Sequence, residues 1–170
     1  MKKLAQLVLA ATLGVTATYA SADAISDAAM SDIRSEKAKA RDEYRHPQQT
    51  LRFFGLKPDM TVVEVSPGGG WYADILYSVV KEEGKYVAAH FYVDDSSSDY
   101  YKKSVKGFKE KTKPGMKYEG AEVTAFDPMK ALDIAKAGSA DMVLTFRNVH
   151  NWYMGHGEEG INNAFGAFFK

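Results

Sequence analysis

Residues 61–72 read Thr61-Val62-Val63-Glu64-Val65-Ser66-Pro67-Gly68-Gly69-Gly70-Trp71-Tyr72. A short apolar run carrying one carboxylate passes through three consecutive glycines into a segment with helical spacing. Few architectures place a buried strand, a glycine turn and a helix start in that order; a parallel strand leading into a helix does so. Such a turn brings backbone N–H groups and the positive end of a helix dipole against whatever binds there, which points to a nucleotide-like cofactor.

The rest of the chain repeats the alternation. Lys85 to Phe91, Lys117 to Phe126 and Ala140 to Phe146 read as further strands. Between and after them, Gly70 to Val80, Asp99 to Lys111, Pro128 to Ala137 and Glu158 to Phe169 read as helices. Strands alternating with helices predict an α/β fold, a parallel sheet of about four strands covered by helices on both faces. Ahead of it, residues 23–60 form an N-terminal helical segment, and 61–170 form the α/β domain. Ile25 to Tyr44, rich in Ala, Lys, Arg and Glu without clean apolar spacing, is expected to be one exposed or partly docked helix with solvated charges. His46-Pro47 breaks it, and Pro47 opens a second helix that ends near Gly55.

Residues 1–22 have the layout of a secretory signal peptide: Lys2 and Lys3, an apolar stretch from Leu4 to Ala17, and small residues permitting cleavage near Ala22 or Ala24. The apolar run falls short of the roughly 20 residues a spanning helix needs, so no stable membrane insertion is expected after cleavage. The expected location is periplasmic or secreted. With 22 basic and 22 acidic residues, and both Lys2 and Lys3 in the removed segment, the mature surface is close to neutral. That balance gives no footprint for nucleic acid. The chain has no cysteine, which excludes disulfides, thiol catalysis and thiolate-ligated metal. Its four histidines, His46, His90, His150 and His156, lack any short ligand spacing, so no metal is expected.

The glycine turn fits two templates. Gly68-x-Gly70-x-x-Ala73 satisfies the dinucleotide fingerprint, whereas Glu64-x-Ser66-x-Gly68-x-Gly70 fits the first motif of class I S-adenosylmethionine-dependent methyltransferases with serine in place of the first glycine. Longer context separates them. The stretch His46-Pro47-x-x-x-Leu51-x-Phe53-x-Gly55-Leu56-Lys57-Pro58-x-Met60-Thr61-Val62-x-Glu64-x-x-Pro67-Gly68-Gly69-Gly70-Trp71-Tyr72 resembles signal-peptide-bearing bacterial proteins of the methyltransferase-like class. Asp141 to Trp152, containing Phe146-Arg147-Asn148-Val149-His150-Asn151, looks like their fourth strand and following loop. The resemblance implies a Rossmann-like fold for residues 61–170, S-adenosylmethionine as small-molecule cofactor and methyl transfer as the activity, with the acceptor open.

It also implies roles. Glu64 would anchor the donor's amino group, directly or through water; the competing role is an acid capping the turn. Ser66, Gly68, Gly69 and Gly70 would cradle the donor, the glycines permitting close approach and positive φ. At the end of the second strand the family has a ribose-binding acid, and this chain has His90, which can accept only one such bond. Asp127, at the end of the third strand, would contact the adenine or, alternatively, cap a following helix opened by Pro128. Arg147, Asn148, His150 and Asn151 cluster past the fourth strand, where open parallel sheets bind ligands. His150 is the candidate general base, with Asn148 beside it and Arg147 toward the cofactor; the alternative for His150 is a histidine bonded within its loop. Trp71 and Tyr72 are read as core or rim aromatics.

The family's strand order is 3-2-1-4-5-7-6, of which only four strands are recognisable here. The chain is therefore expected to be C-terminally shortened, weak or inactive by itself, and open to self-association through an exposed fourth-strand edge. Two rivals stand beside the enzyme: a non-catalytic binding module on the same fold, and an NAD-dependent oxidoreductase, which would also want an acid where His90 stands.

Overall fold

The computed structural model describes residues 24–170, so the expected signal segment at 1–22 lies outside the described residues. Four strands, β1 (Thr61–Val65), β2 (Lys85–Phe91), β3 (Glu122–Phe126) and β4 (Met142–Thr145), form one sheet in the order β3-β2-β1-β4. All neighbours are parallel, with Val63 aligned to Val87 on one side and to Val143 on the other. The expected α/β, Rossmann-like parallel sheet is what the chain forms.

Side-chain alternation along β1 divides the interior. Val62 packs with the residues of one face and Val63 and Val65 with those of the other, so the central strand buries apolar side chains on both faces, with Glu64 its one charged residue. The first face carries α5 (Ala73–Val80) and α6 (Asp99–Glu110), the second α7 (Val149–Phe169). Ile75, Leu76 and Val80 of α5 are fully buried on the first face. Trp152 and Ala164 of α7 join Phe126 and Ile134 on the second.

The N-terminal segment belongs to the first core, since Ile25, Ala28, Leu51 and Leu56 pack in one cluster with Val62 and Tyr86. Its first stretch is not one helix. Residues 24–30 form α1, and Glu36–Lys39 and Asp42–Arg45 form the short α2 and α3. Ser35 interrupts the run by accepting the N–H of Ala38, as an N-cap does. Nor are all its charges solvated: Arg34 is buried, donating to Ala29 O at 2.6 Å and to both carboxylate oxygens of Asp42 at 2.6 Å. The bidentate pair explains why a charged side chain can occupy the interior. Pro47 does open the next helix, α4 (Pro47–Phe53), after His46 in the left-handed region. It closes with Leu56 N–H bonded to Leu51 O across Gly55, at φ 75°.

Two further expectations change. Residues 128–137 are not helical. Asp127 and Ala131 instead exchange backbone hydrogen bonds, and the chain continues irregularly while Leu132 and Ile134 pack on the second core. Thr124 fixes that course by donating to Ile134 O at 2.7 Å. Conversely, the last helix starts at Val149 rather than Glu158, with a break at Gly157 (φ 61°, ψ −150°). His150 and Asn151 therefore sit in a first helical turn, not in a loop.

Candidate functional site

At the carboxyl ends of the strands lies an open cleft of about 1400 Å³. It occupies the point where β2 and β4 diverge from β1 in opposite directions, the place at which open α/β sheets bind ligands. Strand order gives it two ends. Phe91, Tyr92, Asp94, Phe126, Asp127 and Lys130 line the β2 and β3 end; Arg45, Tyr72, Phe146, Arg147, Asn148 and His150 line the β1 and β4 end.

Ser66, Pro67 and Gly68 form the floor between the two ends. Ser66 at φ 56° and Gly68 at φ 57° turn the chain out of β1, and Gly70 N–H closes the turn on Pro67 O at 3.0 Å. A Cβ on Gly68 would meet no atom within 4 Å. Its N–H has no acceptor among the described residues, so this glycine offers a ligand both space and a donor. Gly70 is glycine for another reason. At φ 92°, a Cβ there would come within 2.5 Å of the Tyr118 hydroxyl, so the space is already filled by protein. Gly69 is exposed and does not line the cleft, but its carbonyl accepts from Lys111 Nζ at 3.3 Å.

The polar residues expected beside the donor are mostly engaged with protein. Glu64 does not line the cleft; its carboxylate, 3% exposed, accepts the Tyr86 hydroxyl at 2.6 Å on the α5 side of the sheet. Burial pushes this carboxyl up to about 7 from 4.5, with the Tyr86 bond opposing and nearby Asp74 reinforcing the rise. Asp74, in the first turn of α5, accepts the Tyr118 hydroxyl and pairs with Lys117 Nζ at 2.6 Å. His90 is fully buried. Its Nδ1 accepts Phe91 N–H at 2.7 Å, which leaves Nε2 to donate to Gly68 O at 3.3 Å. Burial lowers its pKa to about 4, the Gly68 bond opposing. The ring braces the glycine turn from behind.

Asp127 does line the cleft, and it also caps: Oδ1 accepts the N–H groups of Met129 and Lys130 at 2.8 and 2.9 Å, though no helix follows. Asn148 ties the two central strands together. Its Nδ2 lies within 3.0–3.4 Å of Thr145 Oγ1 and the carbonyls of Phe146, Ser66 and Val65. His150 is exposed on the cleft wall, without a hydrogen bond to its ring among the described residues. Arg147 is exposed with φ 63°.

Sequence reading missed several cleft residues. Asp94, three positions past β2, holds a turn by accepting from Ser96 and Ser97, and pairs with Lys130 at 3.2 Å. The Ser96 bond, then Lys130, holds its carboxyl below the usual range. Arg45, one residue past the stretch expected to carry solvated charges, reaches the cleft because Trp71 fixes it: its guanidinium lies 4.5 Å from the Trp71 ring centre. Trp71 in turn donates to Ala38 O at 3.1 Å, and Tyr72 stacks on Phe146 at 3.5 Å between ring centres. These two aromatics join the N-terminal segment to the cleft rim.

Among the described residues, no three His, Asp or Glu side chains converge as a metal site would need, and no helix is long and apolar enough to cross a membrane. Compared with known protein families and with curated proteins, the chain matches none.

Proposed function

We propose that the chain transfers a methyl group from S-adenosylmethionine, as an exported enzyme whose donor site is the cleft in front of the β1 to α5 turn. The observation that carries this reading is Gly68: open space, an unpaired N–H and a positive φ at the point where β2 and β4 part from β1. Around it the lining fits an adenosine-type molecule. Phe91, Tyr92 and Phe126 offer aromatic faces, and Asp127 Oδ2, without a protein donor among the described residues, offers an acceptor.

When bound, the donor supplies an electrophilic methyl carbon: a lone pair of the acceptor forms the new bond while the C–S electron pair returns to sulfur. The protein's part is positioning and proton removal. Ser66 and Gly68 would seat the donor. Tyr72 and Phe146 wall the side from which an acceptor enters. His150, exposed in the first turn of α7, would take the acceptor's proton, and Asn148 holds that turn against β1.

A second reading, a non-catalytic binding module, is favoured by Glu64, His90 and Asn148, whose polar groups are spent inside the protein. Calorimetric titration with S-adenosylmethionine, S-adenosylhomocysteine and NAD separates the readings. Binding of the first two alone is expected. NAD binding alone moves the assignment to oxidoreduction, and binding without transfer of labelled methyl to any acceptor tried favours the module.

A further inference from the structure

Arg45 and Arg147 reach the β1 and β4 end of the cleft from distant parts of the sequence, one from the end of α3 and one from the turn after β4. Neither has a carboxylate partner among the described residues. Of the two acids just ahead of Arg45, Asp42 is taken in bidentate fashion by Arg34, and Glu43 makes no ion pair with Arg45 among the described residues. Trp71 holds two guanidinium groups of the N-terminal segment against its ring, 5.1 Å to Arg34 and 4.5 Å to Arg45. Stacking of this kind fixes a guanidinium plane while leaving N–H edges free to donate. On the other side, Arg147 is set by a turn whose next residue, Asn148, is pinned to β1. Partial burial, then repulsion from Arg41 and Arg147, holds the Arg45 pKa below its usual value. Positive charge is thus concentrated at this end without internal compensation.

From this geometry we infer that Arg45 and Arg147 form a clamp for an oxyanion, a carboxylate or phosphate group on a molecule bound in the cleft. Two planar forks lining the same end of a cleft suit such groups, which accept paired N–H bonds. Asp94, Asp127 and their partner Lys130 lie at the other end, so the cleft is electrically polarised along its length. The inference deepens the proposed methyl-transfer reading, but guanidinium recognition of an anion holds whether or not an adenosine compound binds.

The test uses inorganic phosphate as probe on the full mature chain, with binding followed by calorimetry. Wild type is expected to bind phosphate in the millimolar range. Arg45→Gln and Arg147→Gly are each expected to weaken it about tenfold; glycine suits the left-handed backbone at position 147, so that variant keeps the fold. Lys103→Gln, which removes an exposed charge on α6 away from the cleft lining, should leave affinity within about twofold. Absence of phosphate binding in wild type, unchanged affinity in both arginine variants, or an equal loss in Lys103→Gln overturns the clamp.

A second arm compares S-adenosylhomocysteine with 5′-methylthioadenosine, which lacks the carboxylate. If the arginine variants weaken only the former, the clamped group is the donor's own carboxylate. If they weaken neither while phosphate binding is lost, the oxyanion belongs to the acceptor. Phosphate binding in a protein that ignores both adenosine compounds retires the proposed donor and leaves the clamp standing.

Discussion

The two sides of the glycine turn differ in what their polar groups are doing. Behind it, Glu64, Asp74, Tyr86, His90 and Tyr118 are buried and hydrogen-bonded to one another or to the turn itself. In front, Gly68, Arg45, Arg147 and His150 face an open cleft with donors that no atom of the described residues uses. A residue's membership in a motif therefore does not say which way it works. Glu64 is bonded to Tyr86 behind the sheet and His90 braces the turn, and the chemistry facing a ligand comes from neighbours that other elements deliver. Burying an unpaired polar group costs far more than leaving it at a wet surface, so the interior side must be satisfied internally and only the cleft side can be left open.

That contrast can be broken most forcefully at the glycines. Gly70→Ala should destabilise by about 3 kcal/mol or more, because the new Cβ meets the Tyr118 hydroxyl and the backbone is left-handed. Gly68→Ala, with open space in front of it, should cost only about 1–2 kcal/mol in backbone strain while abolishing ligand binding. Urea unfolding of the pair beside a binding titration measures the difference. Equal destabilisation would mean that both positions are packing sites.

Next come the buried titrating groups, which pull in opposite directions. Glu64 keeps its proton in the folded protein up to about pH 7 but releases it near 4.5 when unfolded, so its contribution declines as pH rises across that window. His90 stays neutral down to about pH 4 when folded yet takes a proton near 6.5 when unfolded, so its contribution is lost as pH falls between those values. Glu64→Gln should remove a decline on the order of 3 kcal/mol between pH 4.5 and 7. Unfolding free energies measured from pH 4 to 8 check this. A variant with the same slope as wild type places the Glu64 carboxylate in water, contrary to the geometry.

Smaller effects belong to the front. Asn148→Ala frees the turn after β4 from the β1 carbonyls and should cost about 1–2 kcal/mol by the same denaturation measurement. His150→Ala should change stability by no more than about 0.5 kcal/mol, while slowing the proposed methyl transfer by about 10²–10⁴-fold. If His150→Ala destabilises as much as Asn148→Ala, the imidazole is a structural part of α7 and loses its claim to proton transfer.

The strand, glycine turn and helix were legible at residues 61–80 because local sequence decides them. Apolar β-branched residues need burial on both faces, and glycines supply the turn. The parallel order and the cleft's position followed from alternation of elements, which constrains how successive strands can be connected. Local signals failed where a long-range contact overrode them. Residues 128–137 have helical composition, yet Asp127 capping the turn and Thr124 holding Ile134 O keep them irregular. Gly155-His156-Gly157 looks like a loop, yet α7 runs through it with a break at Gly157.

By itself, then, the sequence determined the α/β alternation, the turn after β1 and the set of chemically able residues near strand ends. It could do so because period, turn chemistry and residue type are local properties. Only the tertiary structure decided which of those residues meet a ligand. Glu64 faces Tyr86, His90 braces Gly68, and Arg45 reaches the cleft only because Trp71 holds it there. Those outcomes depend on which face of the sheet a helix covers and on a contact between residues 45 and 71. No periodicity within either segment encodes such a contact.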